Sequence, residues 1–253
     1  MKIVVCIKQV PARDSQLRID DATRWIQESD LAYEINEPDA YALEEALQLK
    51  EKHTGEVVVL CLGPARAAQT IREALAKGAD RAIHIEHEDP SNFDPLASAR
   101  LLAAALKPEN PDLILTGLQS DDLGYGQTGV ILAELLGLPS STIIMQVEIQ
   151  TGKVRVKREL EDGWFQNIEM PLPAVLTIQS GLNKLRYATL MGIKKAKTKE
   201  IRVIAPAAVP PASAVIETLY SPEKNKQGQI FDGDPKAAAA KLVEKLRFEA
   251  RVI

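Results

Sequence analysis

The sequence predicts an α/β fold in which a parallel sheet is covered by helices on both faces. Short apolar, β-branched runs recur along the chain and alternate with segments of helical periodicity. Parallel strands show such continuous apolar runs because helical crossovers bury both faces of the sheet. A polar hairpin and a separate C-terminal helix complete the predicted architecture.

The predicted strands are apolar runs bounded by turn residues. They cover residues 3–7, 57–62, 82–85, 113–116 and 175–178. Each run is too short for a helix and is rich in Val, Ile and Leu. We therefore assign all of them to the parallel sheet.

The predicted helices lie between these runs and are bounded by Pro and Gly. Pro fits the first turn of a helix, and Gly adopts the left-handed conformation that often ends one. The helices begin after Pro38, after Gly63-Pro64, near Asp94-Pro95 and near Gln127, and the last three end at Lys77-Gly78, before Pro108 and at Gly137.

The C-terminal part of the chain departs from this alternation. Apolar residues alternate on both sides of the turn 150–153, which predicts an antiparallel hairpin. Residues 205–213 (APAAVPPAS) predict an extended linker, and residues 235–251 predict one last helix. We divide the chain into a domain, 1–204, and an arm, 205–253. The alternative is a last helix that folds back onto its own domain.

The composition excludes several functional classes. The 253 residues are 45% hydrophobic and 26% charged, which is typical of a globular protein rather than a disordered one. No stretch approaches the roughly 20 apolar residues of a membrane helix. A net charge of −4 gives no reason to expect a nucleic-acid partner. No targeting peptide is visible, so we expect a cytoplasmic protein without membrane insertion.

Residues that usually carry catalysis or bind metals are scattered. The 3 His residues do not cluster, so no metal site is predicted. Cys6 and Cys61 each lie within an apolar run, which predicts buried thiols. The hydroxyls of 140–142 have no nearby His, and the side chains of the adjacent Asp121 and Asp122 diverge. We therefore predict no catalytic site in this chain.

The glycine-rich segment 117–129 is the strongest candidate for a binding site. It follows a predicted strand, and ligands of open α/β sheets bind at the carboxyl ends of strands. Its glycines permit close approach of the backbone to a ligand, and Gln127-Thr128-Gly129 opens a helix whose amides suit a phosphate. The spacing fits a simple Gly-rich turn capped by Thr128 equally well. It matches neither the dinucleotide fingerprint nor the P-loop.

Residues 186–199 combine basic and apolar side chains in a segment that looks irregular. Exposed apolar residues rimmed by charge often mark a protein-docking site. A helix with a solvated lysine face explains the same pattern. The residues concerned are Leu190, Met191, Ile193, Lys194, Lys195, Lys197 and Lys199.

Several segments together resemble the beta subunits of electron-transfer flavoproteins (ETFs). Residues 156–163 (VKRELEDG), followed by 171–177 (PLPAVLT), resemble the signature run of that family. Residues 182–190 (LNKLRYATL) resemble its LN-x-x-RY segment and the start of its recognition loop, and 117–129 resembles its nucleotide loop. The likeness extends over essentially the whole chain.

The resemblance implies a Rossmann-like domain that buries an AMP, while a partner alpha subunit carries most of the redox-active FAD. The amides of the nucleotide loop and Thr128 suit a phosphate, and Asn36 or the backbone near Cys6 suits adenine. Gly126 stands where some members have Asn. Carried over position by position, the AMP-lining residues are Cys6, Asn36, Leu62, Ser120, Asp122, Leu123, Gly126, Gln127 and Thr128.

The resemblance also implies a recognition loop, residues 183–199, that docks flavin dehydrogenases such as the acyl-CoA dehydrogenases of fatty acid β-oxidation. Electrons then pass through the FAD to an ETF-quinone oxidoreductase, and the arm wraps onto the alpha subunit. In relatives the loop after the first strand approaches the flavin, and some members have an aromatic residue near the position of Arg13, so the resemblance leaves a contact of Arg13 with the flavin open. Leu190 is the implied anchor, with Met191 and Ile193 as apolar support and Lys194, Lys195 and Lys197 for electrostatic steering.

Two alternatives remain open on the sequence. In a bifurcating type of beta subunit, a second FAD takes the place of AMP. In a module like the universal stress proteins, a homodimer binds a nucleotide without any flavin partner. The cofactor content of the purified protein distinguishes all three.

Overall fold

A computed structural model describes residues 1–20, 22, 25–88, 94–206, 208, 210–222 and 228–253. The chain forms two compact units, Met1–Leu219 and Tyr220–Ile253. The predicted division after residue 204 and the packing of an arm on another subunit stay predictions.

The strands and helices follow one another along the chain in an α/β order. They are β1 (Lys2–Ile7), β2 (Gln9–Pro11), β3 (Ile19–Asp20), β4 (Trp25–Ile26), β5 (Tyr33–Ile35), α1 (Glu37–His53), β6 (Glu56–Gly63), α2 (Ala67–Lys77), β7 (Arg81–Glu86), α3 (Pro95–Leu106), β8 (Leu113–Gly117), α4 (Thr128–Leu136), β9 (Ser140–Gln150), β10 (Lys153–Glu159), β11 (Phe165–Pro171), β12 (Ala174–Ile178), α5 (Leu190–Ala196), β13 (Ile201–Ile204) and α6 (Pro235–Phe248).

The main sheet has nine strands in the order β11-β10-β9-β12-β8-β1-β6-β7-β13 within the described ranges. The neighbours from β9 to β13 pair in parallel, whereas β10 pairs antiparallel with both β9 and β11. The predicted fold class is thereby confirmed, as are the five predicted strands, the four helices between them and the hairpin. Two short antiparallel pairs, β2-β5 and β3-β4, lie between β1 and α1 and had no counterpart in the sequence analysis.

The edge strands β11 and β13 were also missed, for a physical reason. In β11 only Ile168 and Met170 pack on the core and the other residues are exposed, and both middle residues of β13 are exposed. Neither strand therefore has an apolar run, and the alternation in β11 is limited to Ile168 and Met170, which is too short to identify a strand in sequence. Such edge strands form mainly because they pair with the neighbouring strand, and this pairing leaves no pattern in their own sequence.

The core lies in two layers, one on each face of the sheet. Ile3, Val5 and Cys61 pack on the side of α1 and α2. Val4 and Cys6 point the other way, toward α3 and α4. The prediction of buried thiols is confirmed: both cysteines are free and buried, and burial raises the pKa of each, to about 12 for Cys61.

The second unit contains α6, which confirms the helix predicted near the C-terminus. Asp234 caps it by accepting hydrogen bonds from the amides of Lys236 and Ala237. The helix exposes Leu242 and Phe248 among its apolar side chains. Within the described ranges, no helix combines the length and apolarity needed to cross a membrane.

Candidate functional site

The main sheet reverses its direction of winding between β1 and β8. From β1 the chain moves outward to β6 and β7, and it then returns to place β8 on the other side of β1. Such a switch point leaves a crevice outside the carboxyl ends of the two strands, where open α/β sheets bind ligands. A cleft lies there, between the ends of β1, β6 and β8 and the starts of α1, α3 and α4.

The structure brings together around this cleft eight of the nine residues implied to line an AMP site. Asp122 is the exception, because its side chain faces a second cavity that adjoins the first. That they bind AMP stays a prediction. The eight are Cys6, Asn36, Leu62, Ser120, Leu123, Gly126, Gln127 and Thr128.

Asp39, which is not among the residues implied to line the AMP site, joins the two strands at the floor of the cleft. Its carboxylate accepts one hydrogen bond from the amide of Lys8 at 2.7 Å and another from the amide of Gly117 at 2.9 Å. These amides follow β1 and end β8. Burial of the carboxyl raises the pKa of Asp39 to about 7, although the hydrogen bonds and the Lys8 ammonium oppose that shift.

Gly117 is required by this arrangement. A Cβ at this position would overlap Oδ1 of Asp39 and the side chain of Pro38. The strand can therefore approach the start of α1 only because its last residue has no side chain.

Asn36 uses both ends of its amide to hold the nucleotide loop. Its Nδ2 donates to the carbonyl of Gln119 at 2.9 Å, and its Oδ1 accepts from the amide of Asp121 at 2.8 Å. The side chain is almost completely buried. Its polar atoms are thus already engaged, which leaves the backbone near Cys6 as the better candidate for contact with adenine.

Lys8 lies directly after a predicted strand, where site residues are expected, but it is not among the residues implied to line the AMP site. Its ammonium lies 2.7 Å from the carboxylate of Asp122 and 3.5 Å from the hydroxyl of Ser120. Burial disfavours ionisation of Asp122, but the charge of Lys8 and the hydroxyl of Ser120 outweigh it and lower the pKa of the carboxyl. The ion pair therefore brings a cation to the rim of the cleft.

The backbone N–H groups at the start of α4 face the cleft without a side-chain cap. Its N-cap residue, Gln127, makes no side-chain cap hydrogen bond, so the interpretation of a turn capped by Thr128 is wrong. Gly126 has a positive φ of 63°, and Gly129 packs so tightly on Thr116 that no Cβ fits between them. A helix N-terminus with free amides attracts anions through its dipole.

A second cavity adjoins the first and shares Lys8, Leu62, Ser98 and Leu123 with it. Trp25 and Tyr33 supply aromatic walls. The Arg66 guanidinium lies 4.5 Å from the centre of the Tyr33 ring and pairs with Glu28 at 3.1 Å. The lining thus combines flat apolar surface with cations.

The implied docking residues lie away from the cleft, on and beside α5. The side chain of Leu190 is 88% exposed, that of Met191 61% and that of Ile193 46%. Lys194, Lys195 and Lys197 are exposed as well. The interpretation of this segment as irregular is wrong for Leu190–Ala196, because Thr189 accepts a hydrogen bond from the amide of Gly192 and caps a helix there.

The segment that leads into α5 is fastened to α1. The guanidinium of Arg186 binds Glu44 at 2.8 Å and Glu51 at 2.6 Å, and Asn183 donates to Glu45 at 3.1 Å. The Glu44 side chain is only 5% exposed, so Arg186 neutralises a charge that water hardly reaches.

Arg13, implied to lie near a flavin, forms an ion pair with Glu37 at the start of α1. No group of three or more His, Cys, Asp or Glu residues in the described ranges is arranged to hold a metal ion.

The comparisons with known proteins point to electron transfer flavoproteins. A family model described as "Electron transfer flavoprotein domain" matches residues 23–209. The "Electron transfer flavoprotein subunit beta" of Methylophilus methylotrophus is 36% identical, and the alignment covers 96% of this chain and 97% of that one. The chain belongs to the ETF beta-subunit family.

Relatives from eukaryotes agree with this assignment. The mitochondrial beta subunit of Oryza sativa subsp. japonica is 38% identical over 100% of both chains. The beta subunit of Homo sapiens is 38% identical over 81% of this chain and 82% of its own. The family resemblance drawn from the sequence motifs is confirmed. As a member of this family, the chain functions in electron transfer by a flavoprotein.

Proposed function

We propose that this chain is an electron-carrier subunit that binds AMP as a structural nucleotide and has no catalytic site of its own. The observation that carries the proposal is the cleft at the β1/β8 switch point, into which the open N-terminus of α4 faces. The amides of Gln127 and Thr128 and the ammonium of Lys8 suit a phosphate there. The backbone near Cys6 suits the adenine.

The FAD that carries the electrons belongs mainly to an alpha subunit, with which this chain forms a heterodimer. The proposed electron path runs from a flavin dehydrogenase, such as an acyl-CoA dehydrogenase, to that FAD and on to an ETF-quinone oxidoreductase. The role of this chain is to complete the heterodimer and to select the donor.

Nucleotide content tests the first part of the proposal. The heterodimer is co-expressed and purified, then denatured, and the released nucleotides are separated and counted. The expected result is one AMP and one FAD per heterodimer. Two FADs and no AMP would contradict the AMP proposal.

Donor selection is assigned to Leu190, which is the most exposed apolar side chain of α5. A leucine that enters a pocket on the partner is typical of an interface anchor, and the nearby lysines favour a partner with an acidic rim. Replacing this side chain removes most of the apolar area offered to the donor.

The test compares Leu190→Ala with Leu135→Ala in the heterodimer. Leu135 is an exposed leucine of α4, and α4 packs on the face of the sheet opposite to α5. The apparent KM for a reduced acyl-CoA dehydrogenase is expected to rise roughly tenfold or more in the first variant and to stay unchanged in the second. Equal rates for both variants at sub-saturating dehydrogenase would exclude Leu190 as the anchor.

A second FAD in place of AMP is the other candidate, and the second cavity favours it. This cavity continues from the first past Lys8 and Leu123, and its aromatic walls suit a flat ring system. The same count of nucleotides decides between the two candidates.

A further inference from the structure

The helix that presents Leu190 is too short to be stable by itself. The helix α5 has 7 residues, whereas isolated helices shorter than about 12 residues are marginal in water. Its side chains give little help, because Ala196 is the only one of its residues that is buried. The structure instead fixes α5 to α2 through hydrogen bonds from Arg72 and Lys199 to backbone carbonyls.

Arg72, on α2, binds the chain at the C-terminal end of α5 and just beyond it. One guanidinium nitrogen, Nη1, donates to the carbonyl of Ala196 at 2.6 Å and to that of Lys199 at 2.6 Å. Ala196 is the last residue of α5, so this cation satisfies a carbonyl that the helix leaves free and complements the negative end of its dipole.

Lys199 makes the reciprocal connection. Its ammonium donates to the carbonyl of Leu75 at 3.0 Å and to that of Ala79, at the C-terminal end of α2. Each of the two segments thus supplies a cation to the end of the other. Such paired contacts hold two elements in one relative orientation.

Gly192 sets the distance between the two helices. A Cβ at Gly192 would overlap the carbonyl oxygen of Ala76. The first turn of α5 therefore rests directly on the end of α2, and any larger residue would push it away. Leu190 and Met191 lie on this same turn and are exposed.

We propose that Arg72 and Gly192 are positioning residues for the docking surface: they fix the direction in which α5 presents Leu190 to the electron donor. The inference rests on the proposed function, in which Leu190 docks a dehydrogenase. A preformed surface binds more tightly because the loss of conformational freedom on binding has already occurred. In this proposal Arg72 and Gly192 act through the position of α5 rather than through the donor itself.

The experiment uses the heterodimer with Arg72→Met and Gly192→Ala as separate variants. Methionine keeps the length of the Arg72 stem but removes the donors. The probe is a purified acyl-CoA dehydrogenase that reduces the wild-type heterodimer. The expected result is an apparent KM raised roughly fivefold to tenfold with an unchanged kcat, together with faster amide hydrogen exchange in residues 190–196.

Each positioning variant is then combined with Leu190→Ala. If Arg72 acts through Leu190, the rise in KM in the double variant falls well below the product of the two single effects. A multiplicative effect would mean that Arg72 acts elsewhere and would overturn the proposal. The matched control is Lys153→Met, which removes an exposed cation on β10.

The outcomes separate this inference from the proposed function. An unchanged KM in Leu190→Ala contradicts the docking role itself. A raised KM in Leu190→Ala with unchanged KM and hydrogen exchange in both positioning variants overturns only the inference about Arg72 and Gly192. Nucleotide content and the melting temperature of the heterodimer, which a general folding defect would change, are expected to remain at wild-type values.

Discussion

At the scale of single residues, one carboxylate organises the candidate cleft. Asp39 accepts amides from both strands that flank the switch point, and Gly117 leaves the space that it needs. Asn36, three residues earlier, fastens the loop that follows β8. The start of α1 therefore binds one segment 31 residues before it and another 78 to 85 residues after it.

Asp39→Asn tests the charge state of this carboxyl. Burial raises the pKa of Asp39 to about 7, whereas an unfolded Asp titrates near pH 4, about its ordinary value. Between these values the folded chain keeps a proton that the unfolded chain has lost. The contribution of Asp39 to stability is therefore complete below about pH 4 and is lost as the pH rises toward 7, by about 1.4 kcal/mol per pH unit.

The measurement is urea unfolding of the wild type and of Asp39→Asn from pH 5 to pH 8. Asn does not titrate, so the difference in free energy of unfolding should change steadily up to about pH 7 and then level off. The other groups that face Asp39, which are Lys8 and the thiols of Cys6 and Cys61, are present in both proteins. A constant difference across the range would show that Asp39 is ionised throughout.

At the scale of elements, α1 serves both candidate sites. Its first turn holds the nucleotide loop, and its later turns carry Glu44, Glu45 and Glu51, which bind the segment before α5. These three glutamates thus bind defined partners in the fold instead of facing only solvent. The helix α2 holds the other end of the same segment.

Arg186→Met is expected to lower the free energy of unfolding by about 2–3 kcal/mol. The loss arises because the buried carboxylate of Glu44 keeps its desolvation cost but loses its partner. Chemical denaturation measures the change. Lys153→Met, which breaks the exposed pair with Glu169, serves as the control and should cost at most about 1 kcal/mol.

The double variant Arg186→Met with Glu44→Gln checks the cause. A neutral Gln removes the unpaired charge and should restore part of the lost stability. No recovery would mean that Arg186 stabilises the chain through Glu51 or by packing instead.

At the scale of the whole molecule, the two ends of the main sheet have different roles. The carboxyl ends of the strands form the cleft. At the amino ends, Glu109 binds Arg81 at 2.6 Å, Arg202 at 2.6 Å and Lys2 at 3.5 Å, and the hydrogen bonds from Arg81 lower the pKa of its carboxyl. This network joins strands at the end opposite the ligand cleft, and we assign it to stability.

A chain that ends at Leu219 tests the independence of the first unit. Met1–Leu219 contains the whole main sheet, so it should fold without the rest and unfold in one cooperative transition. Circular dichroism should show the loss of only the helical signal of α6. If the arm contacts the alpha subunit as proposed, the truncated chain should form the heterodimer more weakly. An unfolded product would contradict the independence of this unit.

Local sequence signals were sufficient for the regular part of the fold. Apolar runs identified the buried strands, Pro and Gly marked the helix ends, and the motifs around 156–163 and 182–190 identified the family. The same signals failed for β11 and α5. In β11 only Ile168 and Met170 pack on the core, and in α5 only Ala196 is buried, so neither element shows an extended apolar face in its sequence.

The sequence by itself therefore determined the order of the buried strands and of the helices that cover them, the glycine-rich loop and the family. Only the tertiary structure decided that Asp39 meets Gly117, that Lys8 meets Asp122 and that Arg72 holds α5. The physical reason is that strand periodicity and helix caps arise from neighbouring residues, whereas these contacts join distant ones. Their geometry exists only after the parallel strands have brought the loops to one edge of the sheet.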